Sequence, residues 1–114
     1  MKNHFERNLK IVNELMTYLY KLGAQDINVT LHRDDSSTSF IICGKTNDLD
    51  NTELDSLTAT LNTPRQHEVE ESYWYLGGEC ESDGELSLVG MMIDKAEISY
   101  SNNILTLKIY RTEF

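Results

Sequence analysis

Apolar side chains recur every three or four positions along residues 3–22, which is the period of an amphipathic helix. They form two adjacent stripes, Phe5, Leu9, Val12, Met16 and Leu19 in one, and Ile11, Leu15, Tyr18 and Leu22 in the other. Two adjacent stripes predict a helix with a wide buried face. Gly23 follows the last periodic residue, at a place where a left-handed glycine commonly ends a helix.

From residue 26 onward the period changes to two. Ile27, Val29 and Leu31 alternate with polar residues, so we expect a half-buried strand. The polar cluster at 34–37 predicts a turn, and the β-branched and aromatic stretch Thr38–Cys43 predicts an antiparallel return strand. A first hairpin is therefore expected directly after the helix.

The C-terminal residues repeat this hairpin pattern. Glu97–Tyr100 and Ile104–Tyr110 read as strands on either side of an Asn-containing turn. Within the last strand, Leu105, Leu107 and Ile109 share one face. We expect this face to pack on the N-terminal helix, against the later members of its first stripe.

The middle of the chain carries helical spacing. Leu54, Leu57 and Leu61 predict a short helix over Thr52–Asn62, with a capping residue among 50–52 and a stop at Pro64. Residues 67–76 and 86–93 follow the same period. The predicted order is α-β-β-α-(α)-α-β-β in one domain over residues 1–114. Such an order favours an α+β fold, a two-layer α/β sandwich with helices on one face of a four-stranded antiparallel or mixed sheet.

The charge of the chain excludes some partners. Nineteen acids against ten bases give a formal net charge of −9, which repels nucleic acid and anionic lipid, so we expect neither as a partner. No apolar run approaches the ~18 residues of a membrane span, and the polar N-terminus lacks the apolar region of a signal peptide. With only Cys43 and Cys80, reduced thiols and a cytoplasmic location are expected.

Residues 65–85 are the most acidic part of the chain, with seven acids and no base after Arg65. Because few of these acids can be buried, we expect an exposed, lid-like segment. His67 and Cys80 lie there among carboxylates, but no spacing matches a usual zinc site, so no metal is expected.

The same segment contains the aromatic run Tyr73, Trp74 and Tyr75. Consecutive residues of a helix cannot all face one core, so at least one ring is expected at a protein-interaction surface. The alternative is that two rings belong to the core and the third is a stray surface residue. The partner would be a protein with a basic patch, or a second copy of the chain.

Residues 83–98 resemble the end of GHKL (Bergerat-fold) ATPase domains, in which a Gly-x-Gly-Leu-x-Leu-Val stretch opens a helix before a final hairpin. The resemblance is closest to small anti-sigma-factor kinases and histidine-kinase catalytic domains. It implies that the helix around Ile11–Leu15 is the N-box helix, and that the strand Phe40–Cys43 leads to the adenine-binding loop.

The chain departs from this family at three positions of the nucleotide site. Glu14 matches the general base, but Tyr18 stands where a magnesium-binding Asn is expected, and a phenol is a poor ligand for Mg²⁺. Residues 44–46 replace the Asp that binds adenine, and Gly84 lies between two acids that would repel a triphosphate. The resemblance therefore implies a degenerate site with no cofactor.

Three functions remain open from the sequence. The first is a non-catalytic, GHKL-like regulatory domain that acts by protein–protein contact. The second is an ATP-binding, anti-sigma-factor-like serine kinase that uses Mg-ATP, with Glu14 catalytic and Asn13, Asn47, Asp48 and Gly84 binding nucleotide. The third is an unrelated two-layer α/β binding module.

Overall fold

The computed structural model describes residues 4–75 and 86–113, without the side chains of 72–75. Its elements, in chain order, are α1 (His4–Lys21), β1 (Gln25–Arg33), β2 (Ser37–Lys45), α2 (Asn51–Leu61), α3 (His67–Tyr75), α4 (Leu86–Met92), β3 (Lys95–Ser101) and β4 (Ile104–Thr112). The predicted order of helices and strands is confirmed. None of the described helices has both the length and the apolar character needed to cross a membrane.

The four strands form one sheet in the order β1-β2-β4-β3, and all neighbouring pairs are antiparallel. Strands β2 and β4 therefore lie in the centre, and β1 and β3 form the two edges. Helix α1 packs on β1 and β2, whereas α2 packs on β3. The result is the predicted α+β two-layer architecture.

The core lies between the sheet and the helices. Its fully buried members include Ile11, Leu15 and Leu19 of α1, Phe40 and Ile42 of β2, and Leu105, Leu107 and Ile109 of β4. The predicted inward face of β4 is thus confirmed. The predicted helix face is only partly right, because Met16 is exposed and Val12 is half-buried. The two stripes of α1 are together wider than the face that the sheet covers, and the stripe with Ile11 and Leu15 takes the core.

The predicted capping and turn residues lie at the ends of the helices and strands in the structure. Gly23 has a φ of +82°, and the Asp50 side chain accepts a hydrogen bond from the Glu53 backbone N–H at 2.8 Å. Asn102 and Asn103 form the β3–β4 turn with positive φ angles. Gly90 has a role that the sequence does not reveal, because a Cβ there would collide with the Thr60 carbonyl oxygen of α2.

Strand β1 differs from the expectation of a half-buried strand. Its register with β2 places Val29 opposite Ile42 and Leu31 opposite Phe40, so both side chains lie on the helix side of the sheet. Both are nevertheless exposed. Helix α1 packs on both β1 and β2, but of the three alternating residues only Ile27 packs against the core.

Candidate functional site

The structure describes four of the five residues of the kinase alternative, namely Asn13, Glu14, Asn47 and Asp48. Asn13 is exposed, whereas Glu14, the next residue of α1, is buried, and Lys10 Nζ lies 2.8 Å from Glu14 Oε1. Asn47 and Asp48 lie exposed in the β2–α2 connection, where Asp48 has a φ of +58°. Gly84, Cys80 and its acidic neighbours lie outside the described residues. The described residues contain no group of three or more His, Cys, Asp or Glu side chains suited to a metal ion.

Tyr18, which stands at the position of the expected magnesium ligand, has a structural contact instead. Its phenol donates a hydrogen bond to Glu53 Oε1 at 2.6 Å and so links α1 to α2. Burial raises the pKa of this phenol, and the hydrogen bond and charge of Glu53 raise it further. The hydroxyl therefore stays protonated and acts as a donor to a carboxylate.

The arginine cluster, defined here as Arg7, Arg65 and Arg111 around Glu70, is the main polar feature of the interior. Glu70 Oε2 accepts from Arg7 Nη1 and from Arg111 Nη2, each at 2.7 Å, and Oε1 accepts from Arg65 Nη2 at 3.2 Å. All four side chains are almost fully buried. The three guanidinium groups come from α1, the α2–α3 connection and β4, so they surround the first turn of α3 from three elements.

Electrostatics keep Glu70 ionised. Burial alone would raise the pKa of its carboxyl group, but the hydrogen bonds and charges of Arg111, Arg7 and Arg65 outweigh burial and lower the pKa. Glu70 is thus an exception to the exposure expected for residues 65–85. Its burial is possible because every carboxylate oxygen meets a cationic donor.

A second layer of contacts holds the arginines themselves. Arg65 Nη1 donates to the Thr112 carbonyl oxygen at 2.8 Å and to Asp94 Oδ2 at 3.0 Å. Arg111 Nη1 donates to the Met92 carbonyl oxygen at 2.6 Å. The cluster therefore joins α3 to the α4–β3 turn and to β4.

The predicted interaction residues lie on the helix that this cluster holds. Tyr73, Trp74 and Tyr75 occupy the last positions of α3, three to five residues after Glu70. Their side chains are outside the described part of the chain. Their role at an interface therefore stays a prediction.

A second candidate surface, the α1/β1 face, consists of exposed apolar residues of α1 and β1. The exposed fractions are 68% for Phe5, 47% for Leu9, 40% for Met16, 77% for Tyr20, 38% for Val29 and 40% for Leu31. The helix members are separated by four, seven and four positions, which are one or two helical turns, so they lie along one side of α1. The strand members lie on the helix side of the sheet edge.

A cleft joins the two parts of the α1/β1 face. It has a volume of about 160 Å³ and is lined by His4, Phe5, Asn8, Leu31, Arg33 and Glu113. Phe5 of α1 and Leu31 of β1 therefore border the same depression. The face is continuous at this end, rather than a set of isolated apolar side chains.

Sequence reasoning missed this face because it assigned both stripes of α1 to the core. The signal was present in the pattern: a strand at a sheet edge cannot cover the whole width of a helix that is apolar on two stripes.

A comparison with known proteins found no family model that matches the chain and no curated protein that matches it.

Proposed function

We propose that this chain is a non-catalytic regulatory domain that acts through protein–protein contact at the α1/β1 face. Its framework is GHKL-like in this proposal, with a degenerate nucleotide site. The observation that carries the proposal is the exposed apolar surface of α1 and β1, whose two parts meet at the cleft between Phe5 and Leu31. Exposed apolar surface of this kind is unfavourable in water and is typical of binding sites.

Glu14 and Tyr18 are the residues that the GHKL resemblance places in the nucleotide site, and their contacts support the non-catalytic part of the proposal. The Glu14 carboxylate is buried beside Lys10, and a general base must instead reach its substrate. The Tyr18 hydroxyl is engaged by Glu53. The Glu14 contact lies within α1, and the Tyr18 contact links α1 to α2.

Site-specific photo-crosslinking in cells tests the proposal. A benzophenone amino acid at Phe5 or Tyr20 changes one exposed aromatic ring for another, so the fold should be retained. We expect a protein adduct from both positions. Ser56, exposed on α2 beside the other edge of the sheet, is the control position and should give none.

Two outcomes contradict the proposal. One is the absence of adducts from both Phe5 and Tyr20 in cells that contain folded protein. The other is an adduct from Ser56 of equal intensity, because contact would then be independent of the apolar surface.

A further inference from the structure

We infer that the α1/β1 face binds a second copy of this chain, with β1 of one copy pairing antiparallel to β1 of the other. The inference rests on the proposed function and names its partner. The two sheets would join into one, and the exposed stripes of the two α1 helices would meet on the same side of it.

The two edges of the sheet differ in how they are covered. At β3 the Ala96 backbone N–H donates to Asn62 Oδ1 at 3.2 Å, and Lys95 and Glu97 place charges along the strand. Charges and covering groups are the usual protection of a sheet edge. The first half of β3 is therefore protected against pairing with a further strand.

Strand β1 has its two charged residues, Asp26 and Arg33, near its ends. Over Asn28–His32 it contains no charged residue and no proline (His counted as neutral). The Asn28 side chain contacts the backbone of its own strand, with Nδ2 donating to the Asp26 carbonyl oxygen at 2.8 Å. An uncharged stretch of an edge strand can pair with another strand.

The strand is also complementary to itself. If two copies pair with Thr30 opposite Thr30, Val29 of one copy lies opposite Leu31 of the other, on the helix side. This register uses only residues beyond the irregular pairing at Gln25 and Asn28. Over Asn28–His32 it places an apolar residue opposite an apolar residue and no like charges opposite each other. A two-fold axis requires this kind of self-complementary patch.

Charge favours a second copy over a basic partner at this surface. Helix α1 and strand β1 contain the bases Arg7, Lys10, Lys21 and Arg33 and the acids Glu6, Glu14 and Asp26, which gives +1. Adding Asp34 and Asp35 of the following turn gives −1. The net charge of −9 therefore resides elsewhere, and two copies can approach through this near-neutral face without strong repulsion.

A second copy also supplies both required surfaces at once. The free edge of β1 needs a strand, and the stripe beside it needs an apolar helix surface. The same chain presents a strand and a helix stripe in the matching relative position. An amphipathic helix from another protein would cover the stripe and leave the strand edge open.

Sedimentation velocity of the purified full chain, from low micromolar to near-millimolar concentration, tests the inference. We expect a species of twice the 13.1 kDa mass that dissociates on dilution. Leu9→Lys and Leu31→Lys place charges in the apolar contact, and each should weaken the dimer by about tenfold or more. Ile104→Lys is the matched control, because Ile104 is 45% exposed but lies at the start of β4.

A chain that stays monomeric over the whole range overturns the inference, as does a dimer that Ile104→Lys weakens as much as Leu9→Lys. If Leu31→Lys fails to fold by circular dichroism, Leu9→Lys on the helix decides. If the chain is monomeric and Tyr20 crosslinks to a different protein in cells, the dimer inference is wrong and the proposed function still holds. If the chain is monomeric and gives no adducts, both the dimer inference and the proposed function are wrong.

Discussion

The arginine cluster and the α1/β1 face share helix α1 but follow opposite rules. Arg7 is buried among carboxylates, whereas Phe5 and Leu9, two positions before and after it, are exposed. The buried charge has partners within the chain, supplied by Glu70 and Glu71. Phe5 and Leu9, in contrast, do not belong to the hydrophobic core. Whether a side chain of α1 is buried therefore depends on the groups that the fold places next to it, and not on hydrophobicity alone.

The largest effect is expected at the arginine cluster. Glu70→Ala removes the one carboxylate that three guanidinium groups share and leaves them buried without it, so it should lower the free energy of unfolding by about 3–5 kcal/mol. Urea denaturation measures the loss. The control Glu71→Ala removes a half-exposed partner of Arg7 and should cost under about 1 kcal/mol.

Equal losses from the two variants would contradict the contrast between buried and exposed carboxylates. They would mean that α3 is held by something other than the geometry around Glu70.

A core substitution sets the scale for comparison. Leu107 is fully buried in the centre of the sheet, so Leu107→Ala should cost about 2–5 kcal/mol through lost burial and a cavity. Its exposed neighbour Lys108 points to the opposite face, and Lys108→Ala should change the unfolding free energy by under about 0.5 kcal/mol. A larger loss for Lys108→Ala would reverse the assigned faces of β4.

Acid is expected to have the next largest effect, by lowering the contribution of the arginine cluster to the free energy of unfolding. Glu70 has a pKa below its ordinary value of 4.5 in the folded chain, so it binds a proton less readily than when unfolded. Its stabilising contribution is complete above that ordinary pKa and is lost as the pH falls through the lower, folded-state pKa. Asp94 and Glu113, whose pKa values are also lowered, add to this loss.

Unfolding free energies measured across the acidic range check this slope. Glu70→Gln cannot titrate, so its curve should be flatter than that of the parent chain. A parallel curve would show that Glu70 is not a source of the acid sensitivity.

The smallest effect is expected from nucleotide, which distinguishes the proposed function from the kinase alternative. Millimolar Mg-ATP should not change the melting temperature, because Tyr18 is engaged by Glu53 and Glu14 lies beside Lys10. A site filled at ~100 times its Kd would add about 2.7 kcal/mol, a rise on the order of 10 °C for a domain of this size. Such a rise, abolished by Glu14→Ala or EDTA, would support the kinase.

Local features of the fold could be predicted from the sequence. The Gly23 end of α1, the Asp50 cap of α2 and the alternating faces of β4 each depend on residues close in sequence. These signals are local because they concern one turn or one strand at a time.

The candidate sites could not be predicted in the same way. Arg7 and Arg111 are 63 and 41 residues away from Glu70 in the sequence. Glu70 therefore cannot be distinguished from its acidic neighbours by the sequence pattern. The exposure of Leu9 and Leu31 depends on where α1 crosses the sheet edge, which the hydrophobic pattern does not specify. Both features arise from the placement of elements relative to one another.

The most direct test of the central claim compares the two sheet edges by hydrogen exchange at low and high protein concentration. Backbone amides of Asn28–His32 should become more protected as concentration rises, because β1 pairs with β1 of a second copy. Amides of β3 should exchange at the same rate at both concentrations, since Asn62 and α2 already cover that edge. Protection that is unchanged in β1, or that increases in β3 instead, would contradict the account.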